Sequence, residues 1–569
     1  MPSVALTDDE IIAHCQSGAL LDDIDRADID GTDASFLNRC VALHNADQID
    51  LLAMTRTARF DSLSGPDFFV RQQFFCEAIP HLQTPATAMM QAVQALVGKA
   101  GADYCANNPN EAFRDWCAAD PPRAHAIVSA AEAGDVQAIA FVTFAFTALS
   151  DAALVRSFVG RYSDERRLSA LCALGRIKPA KPKDAEASIG VLMPFVDAAY
   201  DEATRCNALM SALEICKKLP DLAPAYVPKV IVAATTVPTP GLLFNLAQAL
   251  FLHVKLFDRA SIKYALGALK ATDRALGGIV HALDVALTTM LTTPNSDLAL
   301  DFLTDILAPE NGFDLNQFKS SKHALASSDR GRLFKLLVRW LISGNSNLGG
   351  STAVLLATGE PAVPFDTTTA DLGLSAPDHM LLAYKVLGWL FLNDVVAASI
   401  LVACLRGCDP TTAKAIGGLL FDPLLVNYGG KARDYLKTIK KGDTAYGPVR
   451  AALRAADVFV KGLEINPPIK ELRPSEYQHS IERRHARDMM REVQKDAEKQ
   501  SVLLSLVHRS FLLYGRRSIT YVQEPGSKRR PVSMDLHSFS HVFEMPRYEV
   551  TDPVGLSVQL LAFRGMKRK

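Results

Sequence analysis

The 569-residue chain has almost no net charge: 61 Lys and Arg stand against 62 Asp and Glu, −1 at pH 7. That balance excludes a global attraction to nucleic acid or to an anionic membrane. Cysteine is sparse. Ten residues are scattered through the first 408 positions with no dense framework, which fits a reducing, cytoplasmic setting. Cys404 and Cys408 are the closest pair and have no second pair nearby. Zinc takes four ligands, so these two read as small buried hydrophobes.

Long apolar runs are also missing. Ala138–Leu149 is too short to span a bilayer, and Leu387–Leu405 is interrupted by Asn393 and Asp394. A spanning helix takes about 20 apolar residues, so both runs are expected to be buried helices. The start, MPSVALTDDEIIAHCQSG, has no basic region leading into an apolar core, and no secretory leader is expected. Catalytic signatures are absent as well: no phosphate-binding P-loop, no dinucleotide fingerprint, no nucleophile elbow and no H-E-x-x-H. The glycines of YGGKARDY follow no strand and read as a turn between helices. DDIDRADIDGTDASFL fails as a calcium loop. With Gly31 at the sixth position, Arg26 falls at the first and Leu37 at the twelfth, where carboxylates are required. No cofactor is expected.

Helical periodicity fills most of the chain up to about residue 515. At the N-terminus Thr7 stands before an acidic first turn, a helix-capping arrangement. The most informative pattern lies in the middle. Leu209, Leu246 and Leu283 are spaced by 37 residues, as are the pairs Ala212–Leu213, Ala249–Leu250 and Ala286–Leu287. Ala173–Leu174 precedes the first pair by 39. A constant period with small and large apolar residues at matching positions is the mark of stacked helix pairs. Prolines 220, 224, 228, 238, 240 and 294 are read as breakers between the helices. After Pro309 the register is expected to fade, with Ala324–Leu325 in a poorly packed connection.

From about residue 164 to 309 the chain resembles HEAT-like α-helical repeats. The resemblance implies a solenoid that presents a surface to protein partners. The expected fold class is mainly α, an α-solenoid with a small α+β C-terminal module. The expected divisions are an N-terminal helical region (1–160), the repeats (161–310), a further helical region (311–465) and a basic C-terminal module (466–569). The third contains a long loop, 358–377, that is expected to pack across the helices, to order on binding or to be disordered.

The C-terminal module opens after Pro467, Pro468 and Pro474 with a long helix over roughly 475–514, followed by a hairpin in SITYVQEPGSKRRPVSMDL. HVFEMPRYEV and LSVQLLAFR are expected to add a strand and a short helix or strand. From Asn466 onward 19 Lys and Arg stand against 12 Asp and Glu. On a helical wheel Arg484, Arg487, Arg491 and Lys495 form one stripe, opposite Ala486, Met489, Met490, Val493 and Ala497. Asp488 and Glu492 can neutralise part of that stripe at i, i+3/i+4 spacing, leaving a solvated face. Arg516, Arg517, Lys528, Arg529 and Arg530 add two further clusters, suited to DNA, RNA or an acidic protein. His479, Glu482 and His485 fan apart round the helix and do not converge on a metal. His537, His541 and Glu544 are the remaining weak candidates for a metal or catalytic group.

The expectation is a non-enzymatic scaffold that binds protein partners on its repeats and uses the basic module as a second contact surface. The alternatives are a nucleic-acid-binding subunit of a complex and an enzyme with an unrecognised site in the C-terminal module.

Overall fold

The computed structural model of the chain describes residues 6–24, 33–101, 104–357, 363–465, part of 476–495, 517–522, 530–535 and 546–568. The protein is mainly helical, and it divides into two compact units, Met1–Ser328 and Asp329–Lys569.

In the first unit the principal helices are α1 (Asp8–Ser17), α2 (Asp33–Asn45), α3 (Pro66–Ala78), α4 (Ala86–Ala100), α5 (Asn107–Ala119), α6 (Pro121–Glu132), α7 (Val136–Leu149), α8 (Ala152–Arg161) and α9 (Glu165–Arg176). They continue with α10 (Pro182–Leu192), α11 (Glu202–Lys218), α12 (Ala223–Thr235), α13 (Pro240–Leu252), α14 (Arg259–Leu269), α15 (Gly277–Leu291), α16 (Ser296–Leu307) and α17 (Lys319–Ala326). Thr7 caps α1 through a reciprocal box: its hydroxyl accepts from the Glu10 amide, and Glu10 accepts from the Thr7 amide at 2.7 Å.

From α5 to α17 the odd-numbered helices pack one on the next, and the even-numbered helices cover them as a second layer. The repeat register explains the packing. Ala173, Ala212, Ala249 and Ala286, with their following leucines, are all buried, as are Leu209, Leu246 and Leu283. Alanine keeps the helix axes close while leucine fills the groove beside it. The approach is tightest between α9 and α11, where a Cβ on Gly175 would lie 2.6 Å from the Ser211 Cα. Polar groups join successive helices of this layer as well. The Lys218 ammonium donates to the carbonyls of Gly175, Arg176 and Ile177 at 2.5, 2.6 and 3.1 Å, which satisfies the open end of α9. Half-burial there pulls its pKa below the ordinary lysine value.

Two expectations are corrected in this unit. Ala324–Leu325 is not a loose connection: α17 packs on α15 and Leu325 is buried. The buried Asp284 carboxylate on α15 accepts from the amides of Ser320 and Ser321, both at 2.8 Å, and so starts this short helix. Nor do Pro224 and Pro228 separate helices, since both lie within α12. Pro224 takes the first turn, where its missing N–H costs nothing. Pro228 sits in the interior, a placement that costs about 3 kcal/mol in isolation. Burial of Val227, Val230, Ile231 and Ala234 offsets it.

In the second unit α18 (Arg330–Ile342) and α19 (Ser346–Leu356) precede α20 (Ala376–Leu390), α21 (Asp394–Gly407), α22 (Pro410–Leu419), α23 (Lys431–Lys437) and α24 (Tyr446–Glu464). The apolar run 387–405 is thus cut at Asn393 and Asp394 into two buried helices, and among the described residues no helix is long and apolar enough to cross a membrane. Strands β1 (Arg517–Val522) and β2 (Arg530–Asp535) pair antiparallel, with Arg517 opposite Asp535 and Val522 opposite Arg530. The chain continues in α25 (Arg547–Thr551) and α26 (Pro553–Gly565). RYEV and LSVQLLAFR are therefore helical; an alternating apolar pattern this short fits either period.

The hub of this unit is α20, which packs against α18, α19, α21, α22 and α26. The described part of the long loop, 363–375, is tied to it. Phe365 is buried against Phe334, with the Arg330 guanidinium 4.0 Å from its ring centre. The Thr369 hydroxyl meets His379 Nε2 at 2.9 Å, while His379 Nδ1 lies 3.0 Å from the Ser375 carbonyl. A carbonyl can only accept, so Nδ1 carries a proton, and the Thr369 hydroxyl also donates to the Ala403 carbonyl at 3.1 Å. Arg406 then binds Asp443, Asp366 and the Thr367 carbonyl together.

Candidate interaction surfaces

The outward face of the odd-numbered layer follows from the same 37-residue register. Asn207, Phe244 and His281 occupy one row, and Glu214, Phe251 and Thr288 another. Phe244 and Phe251 are seven residues apart, two turns along α13, and both rings reach solvent, together with Leu252. Two aromatic side chains projecting from a rigid helix, bordered by Asn, His, Glu and Thr, can anchor an apolar partner surface. The repeat register drew only on Leu246, Ala249 and Leu250 from this helix and did not single the phenylalanines out. The available signal was that the two phenylalanines fall on the opposite side of the wheel from Leu246, Ala249 and Leu250. Behind this face His253 is buried, with Nε2 3.2 Å from Glu214 Oε1. Burial outweighs the glutamate and lowers its pKa.

The basic stripe lies on helical backbone between 476 and 495, and Arg484, Arg487, Arg491 and Lys495 are all exposed. Asp488 stands 4.0 Å from Arg491, a solvent-facing pair. Among the described residues no ion pair engages Arg484, Arg487 or Lys495. Met490, from the opposing apolar stripe, is also exposed. Arg517 and Arg530 lie at opposite ends of the strand pairing. Arg516, Lys528, Arg529, His537, His541 and Glu544 lie outside the described residues. Among the described residues no three His, Cys, Asp or Glu side chains converge on a metal position.

Recesses also open on each unit among the described residues. One, about 470 Å³, is lined by Lys270, Asp273, Arg274, Asp305, Asn311 and Phe313. Lys270 is paired with Asp305 at 2.6 Å and Arg274 donates to the carbonyls of Asn311 and Gly312; with Asp273 two carboxylates stand against two cations, so the lining carries no net charge. The other, about 390 Å³, lies between α22 and α24 and is walled by Gly417, Gly418, Phe421, Pro448 and alanines of α24. Neither brings a nucleophile together with a base. All ten cysteines are free thiols, and burial pushes those of Cys40, Cys76 and Cys117 up to about 12, away from reactivity.

No protein-family model matches the chain, and no curated protein matches it.

Proposed function

We propose that the protein is a non-enzymatic scaffold: a solenoid of HEAT-like helix pairs that holds a protein partner on the odd-numbered layer. The observation that carries this reading is the exposed pair Phe244 and Phe251 on a helix whose opposite side is fully packed. Stacked helix pairs leave one long face free, which is how repeat proteins bind their partners. The basic helix and hairpin form the α+β module and act as a second contact surface. Ten cysteines outside any disulfide suit a cytoplasmic setting.

The test is affinity capture from the protein's own cells with three full-length forms: the natural chain, Phe244→Asp with Phe251→Asp, and charge reversal at Arg484, Arg487 and Arg491. Each variant is expected to lose a different partner. Capture of an identical set by all three contradicts the two-surface reading. Deletion of 466–569 is the wrong variant, because it removes α26 and uncovers α20.

A second reading is favoured by the four exposed cations: the stripe binds nucleic-acid phosphates. Four phosphate contacts give a log–log salt slope of about −3 to −4. Affinity for a short duplex or single strand that does not change with salt contradicts this reading.

A further inference from the structure

The recess of about 470 Å³ in the first unit lies between two turns, one following α14 and the other following α16. The wall from the second turn is fixed. Gly312 has no room for a side chain, since a Cβ there would lie 2.6 Å from the Ile306 carbonyl oxygen and 2.9 Å from that of Pro309. The Phe313 amide donates to the Ile306 carbonyl at 3.1 Å, and the Phe313 ring packs 5.5 Å from that of Phe318. Ile306, Pro309 and Phe313 thus give the recess a rigid apolar side.

The wall from the first turn carries charge that the fold leaves unpaired. Arg274 engages only Nη1, which donates to the carbonyls of Asn311 and Gly312 at 3.4 and 3.3 Å. These bonds hold the guanidinium in place, and among the described residues its Nε and Nη2 have no partner. Asp273, the residue before it, accepts from the Ala275 amide through Oδ1 at 2.9 Å and keeps Oδ2 unbonded. Lys270 and Asp305, by contrast, satisfy each other. Thr272 also lines the recess; it is 6% exposed, and its buried hydroxyl has no hydrogen-bond partner. Buried hydroxyls are nearly always bonded, so one without a partner in the wall of a recess points to a bound polar group.

Unlike charges on successive residues, facing an apolar wall, define the ligand. A simple anion would be repelled by Asp273 and a simple cation by Arg274. A molecule with a carboxylate and an ammonium on the same carbon meets both, through charge-assisted hydrogen bonds. The volume is that of a small-molecule site. We infer that this recess binds a free α-amino acid with an apolar side chain. Its carboxylate lies on the Arg274 fork, its ammonium on Asp273, and its side chain against Ile306, Pro309 and Phe313. The end of a polypeptide offers only one of the two charges.

Ligand-observed saturation-transfer NMR on the full chain tests this, with L-leucine and L-phenylalanine as probes up to about 10 mM. Binding of at least one is expected. The N-acetyl derivative of the amino acid that binds keeps only the carboxylate, as a protein C-terminus does, and the amide derivative keeps only the ammonium. Each should bind about tenfold or more weakly, because a charged hydrogen-bonding group is lost. Arg274→Gln and Asp273→Asn, both at exposed positions, should weaken binding of the amino acid to the same extent with the thermal unfolding midpoint unchanged. Three outcomes overturn the inference: no saturation transfer from either amino acid, a single-charge derivative that binds as tightly as the amino acid, or binding that survives both substitutions. The second would assign the recess to a chain end.

Discussion

Gly175 and Gly190 are both helical glycines, and they predict opposite outcomes. A Cβ at Gly175 meets the Ser211 backbone, whereas at Gly190 it meets nothing within 4 Å. Gly175→Ala must push α9 and α11 apart, at about 1–3 kcal/mol. Gly190→Ala, in the exposed interior of α10, should stabilise by about 0.5–1 kcal/mol. Urea midpoints of the two variants should move in opposite directions. A second residue-scale prediction concerns Asp297. Its two hydrogen bonds from the Arg259 guanidinium hold its pKa at about 2, below the ordinary 3.8. A depressed carboxylate adds stability that is present above its unfolded pKa and is lost as pH falls from about 4 to about 2. The pair is half exposed, so solvent screens the effect. Arg259→Ala should return the NMR titration midpoint of Asp297 to near 4; an unmoved midpoint rules out the arginine as the cause.

Among elements, α26 depends on one buried cation. Lys385 points its ammonium at the carbonyl end of that helix, where positive charge is favoured, although burial lowers its pKa. Lys385→Met keeps the volume but leaves the Arg564 carbonyl without its donor, a loss of about 1–3 kcal/mol. Amide exchange should quicken across 553–565 and not across α11; unchanged exchange in α26 would remove Lys385 from the account. This contact joins residues 179 apart, and nothing in either local sequence announces it. The helical, buried character of α11, α13 and α15 was legible because the Ala–Leu pairs recur every 37 residues, and all of them are buried. α17 escaped notice because its start depends on Asp284, which belongs to another helix. In the long loop the lack of periodicity was plain. Its anchoring was not, because Phe365, Thr369 and Arg406 find partners that only the fold brings together. The basic stripe could be read from spacing alone, while the exposure of Phe244 and Phe251 required knowing which side of α13 the next helix covers.

At the scale of the whole molecule, the account rests on α9, α11, α13 and α15 being consecutive members of one stack. Partner capture on the Phe244–Phe251 face presupposes it, and packed helices stand about 8–10 Å apart. The most direct measurement is pulsed electron–electron resonance on the full chain, with spin labels at equivalent repeat positions. Asn207→Cys with His281→Cys spans two helix spacings and should read about 20 Å; Leu168→Cys with His281→Cys spans three and should read about 30 Å. Distances that lengthen by one helix spacing per repeat agree with the stack, whereas a 168–281 distance no longer than 207–281 contradicts it.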